Sequence, residues 1–264
     1  MDLRAKLFPV IVLVMFLIVS VSPLKATPDP INNDPYPPEI QSLIDFIKGK
    51  GFDLTVFLDD PRFELYGDIS DRFRRAAERR IDSVDEYKTV LNFEDKSSRI
   101  TDFIADNLEA MTEAEETYDI PRYLIAAIIG IESNFGRVTG RYNPFNVYVS
   151  MYSEGYRTNF SRAQLEELLI FTRDNNLDVF ELNSSYAGAM AYAQFIPYSL
   201  NRWFVGDDIT DMRNNILSVA NYLAHFKNVT GSLDRAVFRY NPSSLYTETV
   251  LDLAKKAEEF GNGK

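Results

Sequence analysis

The chain has no cysteine. That excludes a disulfide framework, a thiol nucleophile and thiolate metal ligands. It has one histidine, His225, which weighs against a His-rich metal site or a Ser-His-Asp triad. Cationic charge is scarce: 28 Lys and Arg face 39 Asp and Glu, for a formal net charge of −11. This balance argues against a general phosphate-binding surface, so no nucleic-acid partner is expected. Strand signals are nearly absent, and no internal repeat is visible. What remains for chemistry is carboxylates, hydroxyls, amides and aromatics, with no cofactor expected. Fifteen Tyr and nineteen Phe suit either a core or platforms on which sugars stack. A length of 264 residues, 45% of them hydrophobic, allows one large domain or two small ones with ample core.

One stretch organises the chain. Residues 121–136 read PRYLIAAIIGIESNFG. Pro121 suits the first position of a helix. The run from Leu124 to Ile131 is apolar on every face, the mark of a buried helix. Glu132 sits at its end, before the stop signal Gly136. A carboxylate there is costly unless it is paired, protonated or used. Desolvation raises a carboxyl pKa, which a general acid working near neutral pH requires. The bland reading is a Glu emerging into solvent at a frayed helix end.

The remaining segments read as helices. Residues 1–26 form an export signal, with Arg4 and Lys6 before an apolar run at 7–24, and Ala26 as a cleavage site. Two readings of that run stand, a cleaved signal or a retained inner-membrane anchor. Residues 27–37 are a Pro/Asn/Asp linker. Residues 38–260 are expected to form a single helical domain, with a lead-in at 38–118 and a core at 119–260. Within it, residues 69–81 form a basic amphipathic helix carrying Arg72, Arg74, Arg75, Arg79 and Arg80, which reads as a solvated face. Residues 100–118 read as one long amphipathic helix. Residues 142–156 read only as aromatic and Asn/Gly-punctuated. Residues 183–197, NSSYAGAMAYAQFIP, interleave small residues with Tyr, Met and Gln, allowing close approach of backbone or ligand.

Four pieces stand together: Glu132-Ser133-Asn134-Phe135-Gly136; the run from Ser185 through Tyr192 and Gln194 to Pro197; Ala220-Asn221-Tyr222; and Tyr240-Asn241 followed by Tyr246. In this order and spacing they resemble the membrane-bound lytic murein transglycosylases of the B type, in the lysozyme-like superfamily. The resemblance runs from about Ile40 to about Lys256. Asp60-Pro61-Arg62 is similar to the family's helical lead-in. The resemblance implies a mainly α, lysozyme-like catalytic domain. It implies cleavage of the β-1,4 bond between N-acetylmuramic acid and N-acetylglucosamine in peptidoglycan, leaving a 1,6-anhydromuramic end. Glycosidases ordinarily use two carboxylates. The other motifs carry no second one, and intramolecular attack by the sugar's own 6-hydroxyl needs only one group. Glu132 is then the acid and afterwards the base. Ser185 matches the serine that holds the muramic N-acetyl group. Gln194, Tyr192, Tyr222, Tyr240, Asn241, Tyr246 and Arg157 match substrate-binding positions.

Several departures accompany the match. Ala191 and Ala193 stand where the family often has Gly, and would narrow the cleft floor. Of the family's Tyr-Pro-Arg-Arg segment only Arg157 remains, within Glu154-Gly155-Tyr156-Arg157, and Phe160 replaces an expected Tyr. Residues 203–211 lack the alternating ligands and final Glu of an EF-hand-like calcium loop, so no metal is expected, with Asp207 and Asp208 serving a turn and a helix N-terminus. The expected partners are peptidoglycan glycan strands, with membrane attachment only through the N-terminal apolar segment. The chain is expected to act as an exported, envelope-facing monomer. Two other functions fit the same motifs: a peptidoglycan-binding scaffold with weak catalysis, and a lysozyme-type hydrolase.

Overall fold

The structure, a computed structural model, describes residues 35–78 and 81–262. The export signal or anchor, most of the linker, and Arg79 and Arg80 lie outside the described residues. Thirteen α-helices occupy the described part: α1 (Pro38–Lys48), α2 (Thr55–Leu58), α3 (Ile69–Glu78), α4 (Val84–Val90), α5 (Phe93–Asp106), α6 (Leu108–Tyr118), α7 (Arg122–Ser133), α8 (Pro144–Ser153), α9 (Thr158–Asp174), α10 (Pro197–Trp203), α11 (Met212–Thr230), α12 (Leu233–Tyr240) and α13 (Ser244–Asn262). Among the described residues there are isolated β-bridges but no strand. The mainly helical expectation is met.

Helix α7 is the hub. Eight of its twelve residues are buried, and it packs against α5, α6, α11 and α13. A helix apolar all round can only be stable in such a sheath. The other helices bury one stripe each, as Ile40, Leu43, Ile44 and Ile47 of α1 do. The buried apolar side chains form one continuous cluster from Ile40 to Ala257, joining lead-in and core.

Three expectations need correction. Residues 100–118 are not one helix, because the chain breaks at Asn107. Its φ of −119° leaves the helical range, and its side-chain amide donates to the Phe103 carbonyl at 2.9 Å. Pro121 is the residue before the first helical turn of α7, with ψ 130°, rather than in it. Residues 142–156 contain a full helix, α8, started by Asn143, whose side chain accepts from the Asn146 amide at 3.1 Å. All residues from Pro144 to Met151 are buried, so α8 carries no amphipathic period to read. In the 203–211 segment, Asp208 accepts from the Thr210 amide at 2.7 Å in a turn, as expected. The cap of α11 is Asp211, which accepts from the Asn214 amide at 2.8 Å.

Between α9 and α10 the chain is irregular but tightly fastened. Tyr142 and Ser184 exchange both backbone hydrogen bonds, at 3.0 and 2.7 Å. Met190 and Phe195 exchange theirs at 2.9 Å each, closing the four-residue loop Ala191-Tyr192-Ala193-Gln194. Gly188 of the 183–197 run does allow close approach, since a Cβ on it would lie 2.3 Å from the Tyr148 ring. Gly140 has φ +94°, and a Cβ on it would lie 2.0 Å from the Ser184 carbonyl oxygen. Gly140→Ala should therefore destabilise the protein by about 3 kcal/mol or more, from a backbone clash added to an unfavourable φ. Chemical denaturation reads this directly, as a lower midpoint relative to wild type.

Candidate active site

Helix α7 delivers its functional residue at its last turn. The chain then makes three successive left-handed residues, Asn134 at φ 53°, Phe135 at 61° and Gly136 at 80°. The turn is secured on all sides. Ser133 donates its hydroxyl to the Ile129 carbonyl and accepts from the Gly136 amide at 3.0 Å. The Arg99 guanidinium, itself paired with Asp95, donates to the Asn134 side chain at 2.5 Å. The Phe135 ring folds back over Gly130, where a Cβ would come within 2.7 Å of it. It also packs on Phe103, with ring centroids 5.0 Å apart. These contacts fix the exit of the helix, and with it the side chain of Glu132.

Glu132 is partly buried, and its carboxyl forms no ion pair among the described residues. Among the described residues its one side-chain partner is the Tyr246 hydroxyl, which donates to Oε1 at 2.7 Å. Burial raises its pKa from the ordinary 4.5 to about 7, against the Tyr246 hydrogen bond, which pulls it down. Tyr246 and Tyr240 are raised well above the usual phenol range by burial and by the negative charge Glu132 would carry. Tyr87 is raised for the same two reasons. The phenol of α13 bonds the carboxyl, and those of α4 and α12 feel its charge, so the bland reading of Glu132 as a solvated helix end does not hold. Sequence reasoning missed Tyr87, which belongs to a short helix without a motif around it.

The loop from Ala191 to Gln194 lies against this helix end, since a Cβ on Gly136 would come 3.3 Å from the Tyr192 ring. The buried Asn215 of α11 accepts from the amides of Tyr192 and Ala193, both at 3.0 Å. Tyr240 donates its hydroxyl to the Ala193 carbonyl at 2.5 Å. The Gln194 side chain donates back to the Ala191 carbonyl at 2.9 Å. Ala191 and Gln194 hold φ values of 63° and 50°. Ala191 therefore holds a left-handed backbone that glycine would favour, and Ala193 is fully buried. Ser185 sits in the neighbouring turn, where its hydroxyl accepts from the Ala189 amide at 3.2 Å. The Tyr148 hydroxyl donates to the Gly188 carbonyl at 2.9 Å and braces that turn from below. Asn215 and Tyr148 were not foreseen either. Both act through backbone, which leaves no mark in sequence.

The remaining expected residues spread outward. Tyr222 is 6% exposed, with its hydroxyl donated to the Arg239 carbonyl at 2.7 Å. Its ring packs against Tyr240, Phe195 and Trp203, so it stands behind Tyr240 as a wall. Tyr246, expected to touch substrate, is engaged by Glu132 itself. Asn241 is exposed at the end of α12 and makes no side-chain hydrogen bond among the described residues. Arg157 is exposed at the start of α9, its guanidinium 4.1 Å from the centre of the Phe160 ring. A separate surface hollow between α4, α5 and α13 holds none of these residues; its Lys88 and Lys256 pair with Asp252 and Glu94.

Residues 53–233 match the family described as the Transglycosylase SLT domain, and the chain belongs to that family. Over 121 residues it is 34% identical to the membrane-bound lytic murein transglycosylase B of Escherichia coli strain K12. That match covers 43% of this chain and 34% of the relative, so the chain spans about a third of its length. The fold is similar to that of the soluble lytic transglycosylase SltB1 of Pseudomonas aeruginosa, with a TM-score of 0.75, 24% identity, and 86% and 100% of the two chains covered. It is also similar to SltB3 of Pseudomonas aeruginosa in complex with NAG-NAM-pentapeptide, with a TM-score of 0.72, 19% identity, and 83% and 78% covered. The Escherichia coli transglycosylase Slt35, solved in complex with calcium, matches with a TM-score of 0.71 at 20% identity, over 84% and 93%.

The Glu132 environment has a stability signature. Below pH 4.5 the carboxyl is protonated in both folded and unfolded chains and costs nothing. As pH rises from 4.5 towards 7 the unfolded chain releases the proton first, so stability is lost. The loss is at most about 3 kcal/mol, since part of Glu132 remains open to water. Glu132→Gln, which can still accept from Tyr246, should match wild type near pH 4 and exceed it in stability at pH 8. Denaturation curves at the two pH values measure the difference.

Proposed function

We propose that this protein is a lytic transglycosylase that cleaves the β-1,4 bond between N-acetylmuramic acid and N-acetylglucosamine in peptidoglycan. The observation that carries the reading is Glu132: a desolvated carboxyl with a phenol donor, no cation and a pKa of about 7, in a chain of this family. In the first step protonated Glu132 gives its proton to the bridging oxygen. The muramic C1–O bond breaks, N-acetylglucosamine leaves with a 4-hydroxyl, and C1 becomes oxocarbenium-like. In the second step the Glu132 carboxylate takes the proton of the muramic 6-hydroxyl, and O6 bonds to C1. The product is a 1,6-anhydro end, and Glu132 is protonated again. A pKa near neutrality serves both proton transfers. Tyr246 supports the carboxylate between the two steps.

Ser185 is given the muramic N-acetyl group. Its hydroxyl accepts from Ala189 and donates to no group among the described residues, which leaves a hydrogen for the N-acetyl carbonyl. Gln194, Tyr192, Tyr240 and Asn241 supply sugar contacts, and Arg157 an outlying one. The reading takes residues 38–260 as one catalytic domain of an exported monomer at the cell envelope. No helix among the described residues is long and apolar enough to cross a membrane. Residues 7–24 are the segment proposed for membrane attachment.

Glu132→Gln should reduce turnover of isolated sacculi about 10³-fold or more, because one group performs both proton transfers. Mass spectrometry of wild-type products should show ends one water lighter than reducing ends. Reducing ends would assign the protein as a hydrolase, and wild-type turnover by a folded Glu132→Gln variant would remove Glu132 from the mechanism. Ser185→Ala should lower turnover roughly five- to hundredfold, more than it weakens binding, for the loss of one hydrogen bond worth about 1–3 kcal/mol.

A further inference from the structure

One buried polar side chain takes no part in the proposed reaction. Asn215, in the first turns of α11, is fully buried. An asparagine amide can make four hydrogen bonds, two accepted and two donated. Here all four are made. Its Oδ1 accepts from the Tyr192 and Ala193 amides at 3.0 Å each. Its Nδ2 donates to the Ile209 and Asp211 carbonyls, at 2.9 and 2.7 Å. The donated pair ties it to the segment that leads into its own helix. The accepted pair reaches across to the loop between Met190 and Phe195.

That loop is held in a conformation its residues do not favour. Ala191 opens it at φ 63° and Gln194 closes it at φ 50°. In this left-handed region the Cβ of an L-residue crowds the following carbonyl oxygen, and glycine alone escapes the penalty. Such a backbone persists where its surroundings over-determine it. Asn215 acts on the two residues between, whose amides converge on its one oxygen. Ala193 is fully buried, so its amide finds no water if that oxygen is removed. The loop also bears on the site. The Gln194 side-chain nitrogen donates to the Ala191 carbonyl at 2.9 Å. Its oxygen makes no hydrogen bond among the described residues and is left for a hydroxyl or an acetamido N–H. The Tyr192 ring lies against Gly136, in the turn that follows Glu132.

We infer that Asn215 is a positioning residue for glycan binding, holding the strained Ala191–Gln194 loop in the one posture that presents Tyr192 and Gln194 to sugar. This rests on the proposed reading of those two side chains as sugar contacts. Without the Oδ1 acceptor the two amides must seek other partners, and the loop relaxes out of its left-handed turns. The competent posture then becomes a minor population, and the apparent affinity falls by the fraction lost. The proton transfers at Glu132, on a different element, proceed as before once sugar is bound. The loss therefore falls on KM rather than on kcat. Glycine at position 191 would take the same posture without strain, so Asn215 should matter least in that background.

The test is steady-state turnover of soluble, uncrosslinked glycan strands, with affinity for the same strands measured by calorimetry in the Glu132→Gln background. Asn215→Ala should raise KM and Kd about tenfold and leave kcat within about threefold of wild type. Adding Ala191→Gly should recover most of that loss, and more than the same change gains in the wild-type background. Asn215→Asp keeps the acceptor and gives up the two donated bonds. It should lower the melting temperature while restoring most of the wild-type KM. Where Asn215→Ala does not fold, the KM of Asn215→Asp decides alone. A wild-type KM in Asn215→Ala, a loss that Ala191→Gly does not relieve, or a KM in Asn215→Asp raised about tenfold would overturn the inference. Strands bound but never cleaved by the wild type would refute the proposed reaction and leave Asn215 to be judged on affinity. Cleavage with no effect of Asn215→Ala on KM would do the reverse, and strands that bind no form of the protein would overturn both.

Discussion

The structure depends on one partly buried carboxyl that no cation pairs with among the described residues. Glu132 is carried to its place by a helix whose other faces are apolar, and no cation meets it among the described residues. Two influences of opposite sign set its proton affinity. Burial favours the neutral acid, and the Tyr246 hydroxyl favours the carboxylate. A salt bridge to an arginine would tie the group to its ionised form and hold its pKa low. A phenol whose own pKa is raised well above the usual range remains a donor throughout the working range and never offers a competing charge. Arg99, which meets the same helix end, is directed to Asn134 and Asp95, where it holds the helix exit rather than the acid.

Backbone strain follows the same centre. Among the described residues eight non-glycine positions have positive φ, and four of them are Asn or Asp, which tolerate that region. The other four are Phe135, Arg157, Ala191 and Gln194, and all four belong to segments of the candidate site. Such conformations cost of order 1–3 kcal/mol each and persist only when their surroundings over-determine them. Here the surroundings are Phe103 and Gly130 against Phe135, Asn215 on the loop amides, and Tyr240 on the Ala193 carbonyl. Precision at the site is thus supplied largely by packing and backbone contacts around it.

Much of this was legible in the sequence, and the physical reason differs from part to part. Helix α7 was readable because a run apolar on all faces has few other fates, and Glu132 stood out as the one charge at its end. Helices α1, α9, α11 and α13 show an apolar stripe, which the 3.6-residue period exposes. Helix α8 is buried all round and rich in β-branched and aromatic residues, so periodicity had nothing to register. The break at Asn107 depends on one side chain returning to its own helix, a choice that composition does not announce. Tyr87 and Asn215 reach the site by tertiary packing alone. Tyr222 matched a motif, but its position behind Tyr240 follows from the ring cluster around it, which a linear pattern cannot encode.

On the proposed reaction, the same burial acts twice. Before the bond breaks, Glu132 is neutral, so the site holds no buried charge that must be desolvated when the sugar arrives. As the proton moves to the leaving oxygen, the carboxyl becomes negative at the moment when the sugar ring becomes positive. The two charges arise together at a carboxyl already partly desolvated, where their attraction is stronger than in bulk solvent. The environment that makes the carboxylate costly in the resting protein therefore makes it effective in the transition state. The Tyr246 donor limits the first effect while reinforcing the second, because its hydrogen bond strengthens as negative charge grows on Oε1. A second ionised carboxylate nearby would weaken this arrangement by repelling Glu132 as its charge forms. That is a physical reason for a single-acid site to be lined with phenols and amides.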